Sequence, residues 1–248
     1  MALVYESILD VGDEVPSFDL DSQLGRVMFR DIVFGRWCLL VTFGMAFDPV
    51  STTDLGMLGK LKEEFDEREI LIVAIGADTV PNYRLWLRDI EEINATKITY
   101  SLLSDPSMKI LKSLGCARDG KDGKTPQIAS YGLFLIDLDA RIRYSSRSSP
   151  YLGRNLYESL RQFDAHLIIN FHPIVCPCNW GQGQQVLMRN STAISGGGAG
   201  IGGGKGSSSG KNNNSNNSNT NNDTKEMIEY KATAIKPWFK LAPCPEKI

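Results

Sequence analysis

Histidine is nearly absent: the chain of 248 residues has two, His166 and His172. Both lie far along the chain from the motifs described below, so imidazole chemistry is confined to that region. Long apolar runs are also lacking. None approaches the roughly 18 uninterrupted apolar residues of a membrane helix, and Met1 to Val15 has no basic flank followed by an apolar stretch. Neither secretion nor membrane insertion is expected. Charge of one sign is missing too, with 27 Lys plus Arg against 29 Asp plus Glu. No global field therefore attracts nucleic acid or an anionic membrane. Cysteine is sparse and odd in number, at 38, 116, 176, 178 and 244. That suits reduced thiols in a cytoplasmic setting better than a disulfide framework.

What is present supports one substantial core with a smaller appendage, since 42% of residues are apolar and 23% charged. Trp37 to Phe43 and Ile70 to Ile75 are compact apolar runs of strand length and read as buried central strands. Between them Leu55, Leu58, Leu61 and Phe65 recur at steps of three and four, opposite Lys60, Lys62, Glu63 and Glu64, the pattern of an amphipathic helix. Strand, helix and strand in that order favour a parallel pair with a right-handed crossover. A second helix is expected from Pro81 to about Ile93, with Tyr83, Trp86, Leu87 and Ile90 as its buried stripe. Gly132 to Ile136 and Ile142 to Ser145 flank Asp137-Leu138-Asp139-Ala140 and read as a hairpin. A last helix is expected over about 155–168, using Leu156, Leu160, Phe163 and Leu167. The order β-α-β-α-β-β-α is that of an α/β, thioredoxin-like domain: a mixed central sheet flanked by helices.

Residues 195–224 are rich in Gly, Ser and Asn and almost devoid of apolar side chains. Burial cannot offset their ordering entropy, so a disordered insert is expected. Order is expected to resume near Met227 to Tyr230, with an apolar patch at Pro237-Trp238-Phe239. The expected division is a thioredoxin-like domain at 8–170, a C-terminal extension at 171–194 and 225–248, and the insert between. Gly196 to Gly206 lacks the Lys-Ser or Lys-Thr ending of a phosphate loop and any strand before it, which argues against nucleotide binding.

The stretch Phe47-Asp48-Pro49-Val50-Ser51-Thr52-Thr53-Asp54-Leu55 resembles the active-site signature of the peroxiredoxins, with Ser51 where that family has its reactive cysteine. Val11-Gly12-Asp13-Glu14-Val15-Pro16-Ser17-Phe18-Asp19-Leu20 is similar to the family's N-terminal segment. Ala74 to Asp78 with Trp86, Asp89 and Ile90 is similar to the second strand and helix of the 1-Cys subfamily. Asp105-Pro106, Leu114-Gly115 and Gly153-Arg154-Asn155 match further landmarks in order. Cys178-Asn179-Trp180-Gly181-Gln182-Gly183, followed by Val186, resembles part of that subfamily's C-terminal extension. The resemblance covers about 10–190 and a short tail near 235–245, with the Gly/Ser/Asn stretch in place of most of the extension.

The resemblance implies a thiolate at the first turn of a helix attacking a peroxide oxygen, giving a sulfenic acid and water or an alcohol. A cysteine has a pKa of about 8.5 that a helix N-terminus and an arginine can lower. A serine alkoxide is inaccessible near neutral pH without a strong base, and oxygen has no counterpart of the recyclable sulfenic acid. Ser51, Thr52, Thr53 and Asp54 are all residue types that cap helix N-termini, so capping by Ser51 is the competing reading. Where the family has a peroxide-binding threonine, this chain has Asp48, whose charge opposes a thiolate. The family's upstream histidine is missing, and the position of its first arginine falls on Tyr131. Arg154 matches the second arginine, and either pairs structurally with a carboxylate such as Asp54 or is a relic of the pocket. The subfamily's phospholipid-hydrolysing serine is replaced by Arg36.

Cys38 reads as a core residue. Cys176 and Cys178 flank Pro177 and could form a redox or metal pair, or be unremarkable thiols; no second Cys/His pair at zinc spacing accompanies them. No metal or cofactor is expected. The resemblance implies a peroxiredoxin-like protein whose thiol-dependent peroxidase activity is lost or strongly impaired. It would act by association, as a homodimer or with an active relative, and would use a thiol reductant only if active. The alternative is residual peroxidase or redox chemistry through Cys116, Cys176 or Cys178.

Overall fold

The computed structural model describes residues 8–189, 233–236 and 239–245. The Gly/Ser/Asn stretch at 195–224, the expected restart at Met227 to Tyr230, and Pro237-Trp238 lie outside the described residues. The chain divides into two compact units, 1–163 and 164–248.

The first unit opens with a hairpin of β1 (Asp19–Ser22) and β2 (Gly25–Met28), followed by α1 (Phe29–Val33). Next come β3 (Trp37–Thr42), α2 (Pro49–Lys60), α3 (Lys62–Asp66), β4 (Ile70–Gly76), α4 (Val80–Asn94), β5 (Ser101–Ser104) and α5 (Lys109–Ser113). A small ladder of β6 (Ala117–Asp119) and β7 (Pro126–Ile128) precedes β8 (Tyr131–Ile136) and β9 (Ile142–Ser148). Helix α6 (Leu156–Phe171) begins in the first unit and continues into the second.

The main sheet has seven strands in the order β2-β1-β5-β4-β3-β8-β9. Strands β3, β4 and β5 run parallel, whereas β8 is antiparallel to β3 and β9 to β8. The sheet is therefore mixed, with its parallel strands at the centre. Every residue of β3 and β8 is buried, as expected of strands covered on both faces. Cys38 and Leu40 join a core with Val73, Ile75, Phe134 and Ile136. Leu39 and Val41, also inaccessible, alternate to the opposite face.

The expected strands, crossover helix and hairpin are all formed. One helix became two: the apolar series Leu55, Leu58, Leu61 and Phe65 stays buried, but the backbone breaks at Leu61 (φ −89°, ψ 5°), separating α2 from α3. In α4, Tyr83, Trp86 and Ile90 are buried while Leu87 is only half-buried. The short β5 and α5 add to the expected order.

Helices α2 and α4 approach closely at Gly56, where an added Cβ would lie 2.0 Å from the Asn94 Cγ. Asn94 donates to the Thr52 carbonyl at 3.1 Å and the Ile90 carbonyl at 2.9 Å. The glycine's helix-propensity cost of about 1 kcal/mol is thus tied to an inter-helix bond that fixes the first turn of α2.

The second unit carries a four-stranded sheet of order β10-β11-β13-β12: β10 (Ile174–Val175), β11 (Val186–Met188), β12 (Thr233–Lys236) and β13 (Phe239–Ala242). Its core joins Ala165, Ile174, Trp180, Val186 and Ala242. The Trp180 indole, 1% exposed, donates to the Gln184 carbonyl at 3.0 Å. Among the described residues, no helix is long and apolar enough to cross a membrane.

Replacing Gly56 by Ala should displace Asn94 and lower stability by about 1–3 kcal/mol, as overpacking does. Urea unfolding should register this as a lower midpoint at unchanged slope; an unchanged midpoint would refute the close-approach account.

Candidate functional site

Strand β3 ends at Thr42, and the chain turns through Gly44 to Asp48 into α2. Phe47 takes a left-handed backbone conformation (φ +65°), unusual for a bulky residue, and its ring stands 6.4 Å from that of Trp86. Met45 and Phe47 are half exposed.

Asp48 is the residue that caps α2. Its extended backbone and the following Pro49 at the helix start suit the cap position, and its carboxylate accepts from the Ser51 N–H at 2.6 Å. The capping role expected of Ser51 is therefore taken by Asp48, and Ser51 contributes the capped N–H instead. The Asp48 carbonyl accepts from the Thr52 hydroxyl at 2.7 Å, and that hydroxyl accepts from the Trp86 indole at 3.0 Å. The Trp86 contact, invisible in the sequence, ties α4 to the first turn of α2.

Ser51 is completely buried, and its hydroxyl meets no partner at hydrogen-bond geometry. Tyr131, the first residue of β8, is 4% exposed and brings its phenol beside Ser51 and Asp48. The Ser51 hydroxyl faces the phenol without reaching full hydrogen-bond geometry. Burial pushes the phenol above its ordinary range; the Ser51 hydroxyl opposes this, and the Asp48 carboxylate adds to it. The close fit extends to Gly44, where a Cβ would lie 3.0 Å from the Tyr131 hydroxyl.

Arg154 completes the group. Its Nε pairs with the Asp54 carboxylate at 2.8 Å, with side chains 6% and 5% exposed. The Arg154 backbone N–H donates to the same carboxylate at 3.1 Å. Nη1 donates to the Thr42 carbonyl at 2.8 Å and the Gly132 carbonyl at 2.9 Å. Nη2 is buried without a partner. The guanidinium carbon lies 5.7 Å from the centre of the Tyr131 ring. The fold thus brings Asp48, Ser51, Tyr131 and Arg154 together from a loop, a helix, a strand and the loop before another helix. The expected pairing of Arg154 with Asp54 is formed, and the two N–H donors of Nη2 remain unused.

Cys116 packs against Gly132 beside the site and Cys38 lies within β3; none of the five cysteines is in a disulfide. Burial pushes the Cys38 and Cys116 thiols up; Thr42, Ser130, Arg147 and Arg154 partly oppose this for Cys116. Neither suits a reactive thiolate. Cys178 is exposed, and Cys176 and Cys244 are half-buried. Among the described residues, no three His, Cys, Asp or Glu side chains converge as metal ligands. Cys176, Cys178 and His172 are not gathered into a three-ligand set.

The mixed sheet, its parallel centre and the helix start after β3 define a thioredoxin-like fold. Residues 11–145 match the AhpC/TSA family. The chain is 31% identical to 1-Cys peroxiredoxin A of Oryza sativa over 73% of this chain and 83% of that protein. It is 28% identical to mouse peroxiredoxin-6, over 72% and 82% respectively. In structure it is similar to a cysteine-to-serine mutant of peroxiredoxin 6 of Arenicola marina, at TM-score 0.75 and 20% identity, covering 96% of this chain and all of that one. It is also similar to a yeast mitochondrial 1-Cys peroxiredoxin, at TM-score 0.72 and 21% identity, covering 95% and all, respectively. The chain belongs to the AhpC/TSA family of peroxiredoxins and is of the 1-Cys type.

Substituting Asp54 by Ala strands the buried guanidinium and should cost about 3–5 kcal/mol. Thermal and urea unfolding should both report the loss; a cost below about 1 kcal/mol, the range of an exposed pair, would show the pair to be solvated.

Proposed function

We propose that this chain is a 1-Cys-type peroxiredoxin that has lost, or nearly lost, thiol-dependent reduction of hydrogen peroxide and organic hydroperoxides. The observation carrying this reading is the hydroxyl of Ser51, fully buried and unpartnered, in the turn where the family signature has sulfur. In the family reaction a thiolate attacks one peroxide oxygen, the O–O bond breaks, and the other oxygen leaves as water or alcohol after protonation. A hydroxyl has no accessible anion to begin that step without a base. The acid beside it, Asp48, already accepts the Ser51 N–H and would repel a developing oxyanion. Tyr131 supplies no fixed positive charge, and Arg154 is committed through Nε and Nη1 to Asp54 and two carbonyls.

The retained role is association in the cytoplasm, as a homodimer or with an active relative. This reading rests on the preserved scaffold: a protein with a silent centre and an intact fold acts through its surface. Exposed Cys178 supports a second reading, redox chemistry through another thiol.

The deciding measurement is peroxide consumption by the purified, unsubstituted chain with dithiothreitol. The rate should match dithiothreitol alone, and peptide mapping after mild peroxide should find no cysteine selectively sulfenylated. Turnover comparable to an active 1-Cys peroxiredoxin assayed alongside would overturn the proposal, and selective sulfenylation at Cys178 would establish the second reading.

A further inference from the structure

The serine is only one of two barriers at this site. We infer that the Tyr131 side chain is a plug: it fills the space between the Ser51 hydroxyl and the Arg154 guanidinium, so the first turn of α2 would stay closed to peroxide even with sulfur at position 51. This inference rests on the reading of Ser51 as the silenced catalytic position.

Three observations carry it. Ser51 has no accessible surface and Tyr131 almost none, at 4%, so no solvent path reaches the Ser51 hydroxyl beside the phenol. The Tyr131 ring lies against Arg154, 5.7 Å from the guanidinium carbon, while its hydroxyl reaches Asp48 and Ser51 and abuts Gly44. The side chain therefore spans from the arginine to the helix start. Finally, each of the two side chains that Tyr131 packs against carries a buried polar atom without a partner, Ser51 Oγ and Arg154 Nη2. Buried polar groups are normally satisfied, and orphans on both residues that the ring meets indicate a polar site into which a ring has been packed. Gly44 is part of the device, because any side chain there would lie within 3.0 Å of the Tyr131 hydroxyl.

The plug also means that restoring sulfur at position 51 would not by itself give an accessible thiol. A thiol at position 51 would be as enclosed as Cys38 and Cys116, which have no accessible surface. It would react only during local opening.

The test uses the full chain in three forms: Ser51→Cys, Ser51→Cys with Tyr131→Ala, and Ser51→Cys with Tyr131→Phe. Each is treated with iodoacetamide and, separately, with hydrogen peroxide plus dimedone. Peptide mass spectrometry follows the introduced thiol apart from the five native cysteines. The Ser51→Cys thiol should react at least about 100-fold more slowly than in the Tyr131→Ala form, as reaction through local opening requires. The Tyr131→Phe form, which keeps the ring and loses only the hydroxyl, should remain as slow as Ser51→Cys alone. If the Ala form fails to unfold cooperatively, Tyr131→Leu replaces it under the same criterion. A Ser51→Cys thiol as reactive as the opened form, or a Phe form as fast as the Ala form, overturns the plug. Failure of the Ser51 reading itself would show separately, as peroxide turnover by the unsubstituted chain.

Discussion

The buried pairing of Arg154 with Asp54 is the interaction on which the rest of the first unit depends. Through one guanidinium, the loop leading into α6 is tied to α2 by the carboxylate, to β3 by the Thr42 carbonyl and to β8 by the Gly132 carbonyl. Taking two charges out of water costs on the order of several kcal/mol per ion, and only close geometry with further hydrogen bonds offsets it. Here the geometry is close and the carbonyls are strand ends with lone pairs to spare. The charges of the site serve the scaffold.

That arrangement separates the persistence of the fold from the persistence of chemistry. The cap at Asp48, the Thr52–Trp86 bond and the Arg154 clamp each fix the first turn of α2 through backbone groups or through side chains other than Ser51. Substituting oxygen for sulfur at position 51 leaves all three untouched. On the proposed reading, loss of the nucleophile carried little folding penalty, and Tyr131 could then occupy space that catalysis had kept open.

The sequence made the centre of the fold legible because burial writes itself as composition. The runs at Trp37 and Ile70 are apolar on both faces, and only doubly covered strands need that. β5 was not legible: Ser-Leu-Leu-Ser is too short to show a period, and its identity as a strand comes from pairing with β4. The break at Leu61 is equally silent, since the apolar spacing continues across it. At the site, the four residues singled out in the sequence come together, but the cap expected of Ser51 is supplied by Asp48. The deciding signal was Pro49, which favours the first helical position and so makes the preceding Asp48 the cap. The contact of Tyr131 with Gly44 joins residues far apart in the chain and has no local signature at all.

In the second unit, β11 pairs directly with β13 although residues 189–232 intervene between β11 and β12. The strands at the two ends of that stretch, β11 and β12, therefore sit on either side of β13 in one small sheet. Loop closure entropy grows only logarithmically with length, by about 0.6 kcal/mol per doubling. Because β13 holds both flanking strands by its own pairings, the small sheet closes through contacts that do not depend on how many residues separate β11 from β12.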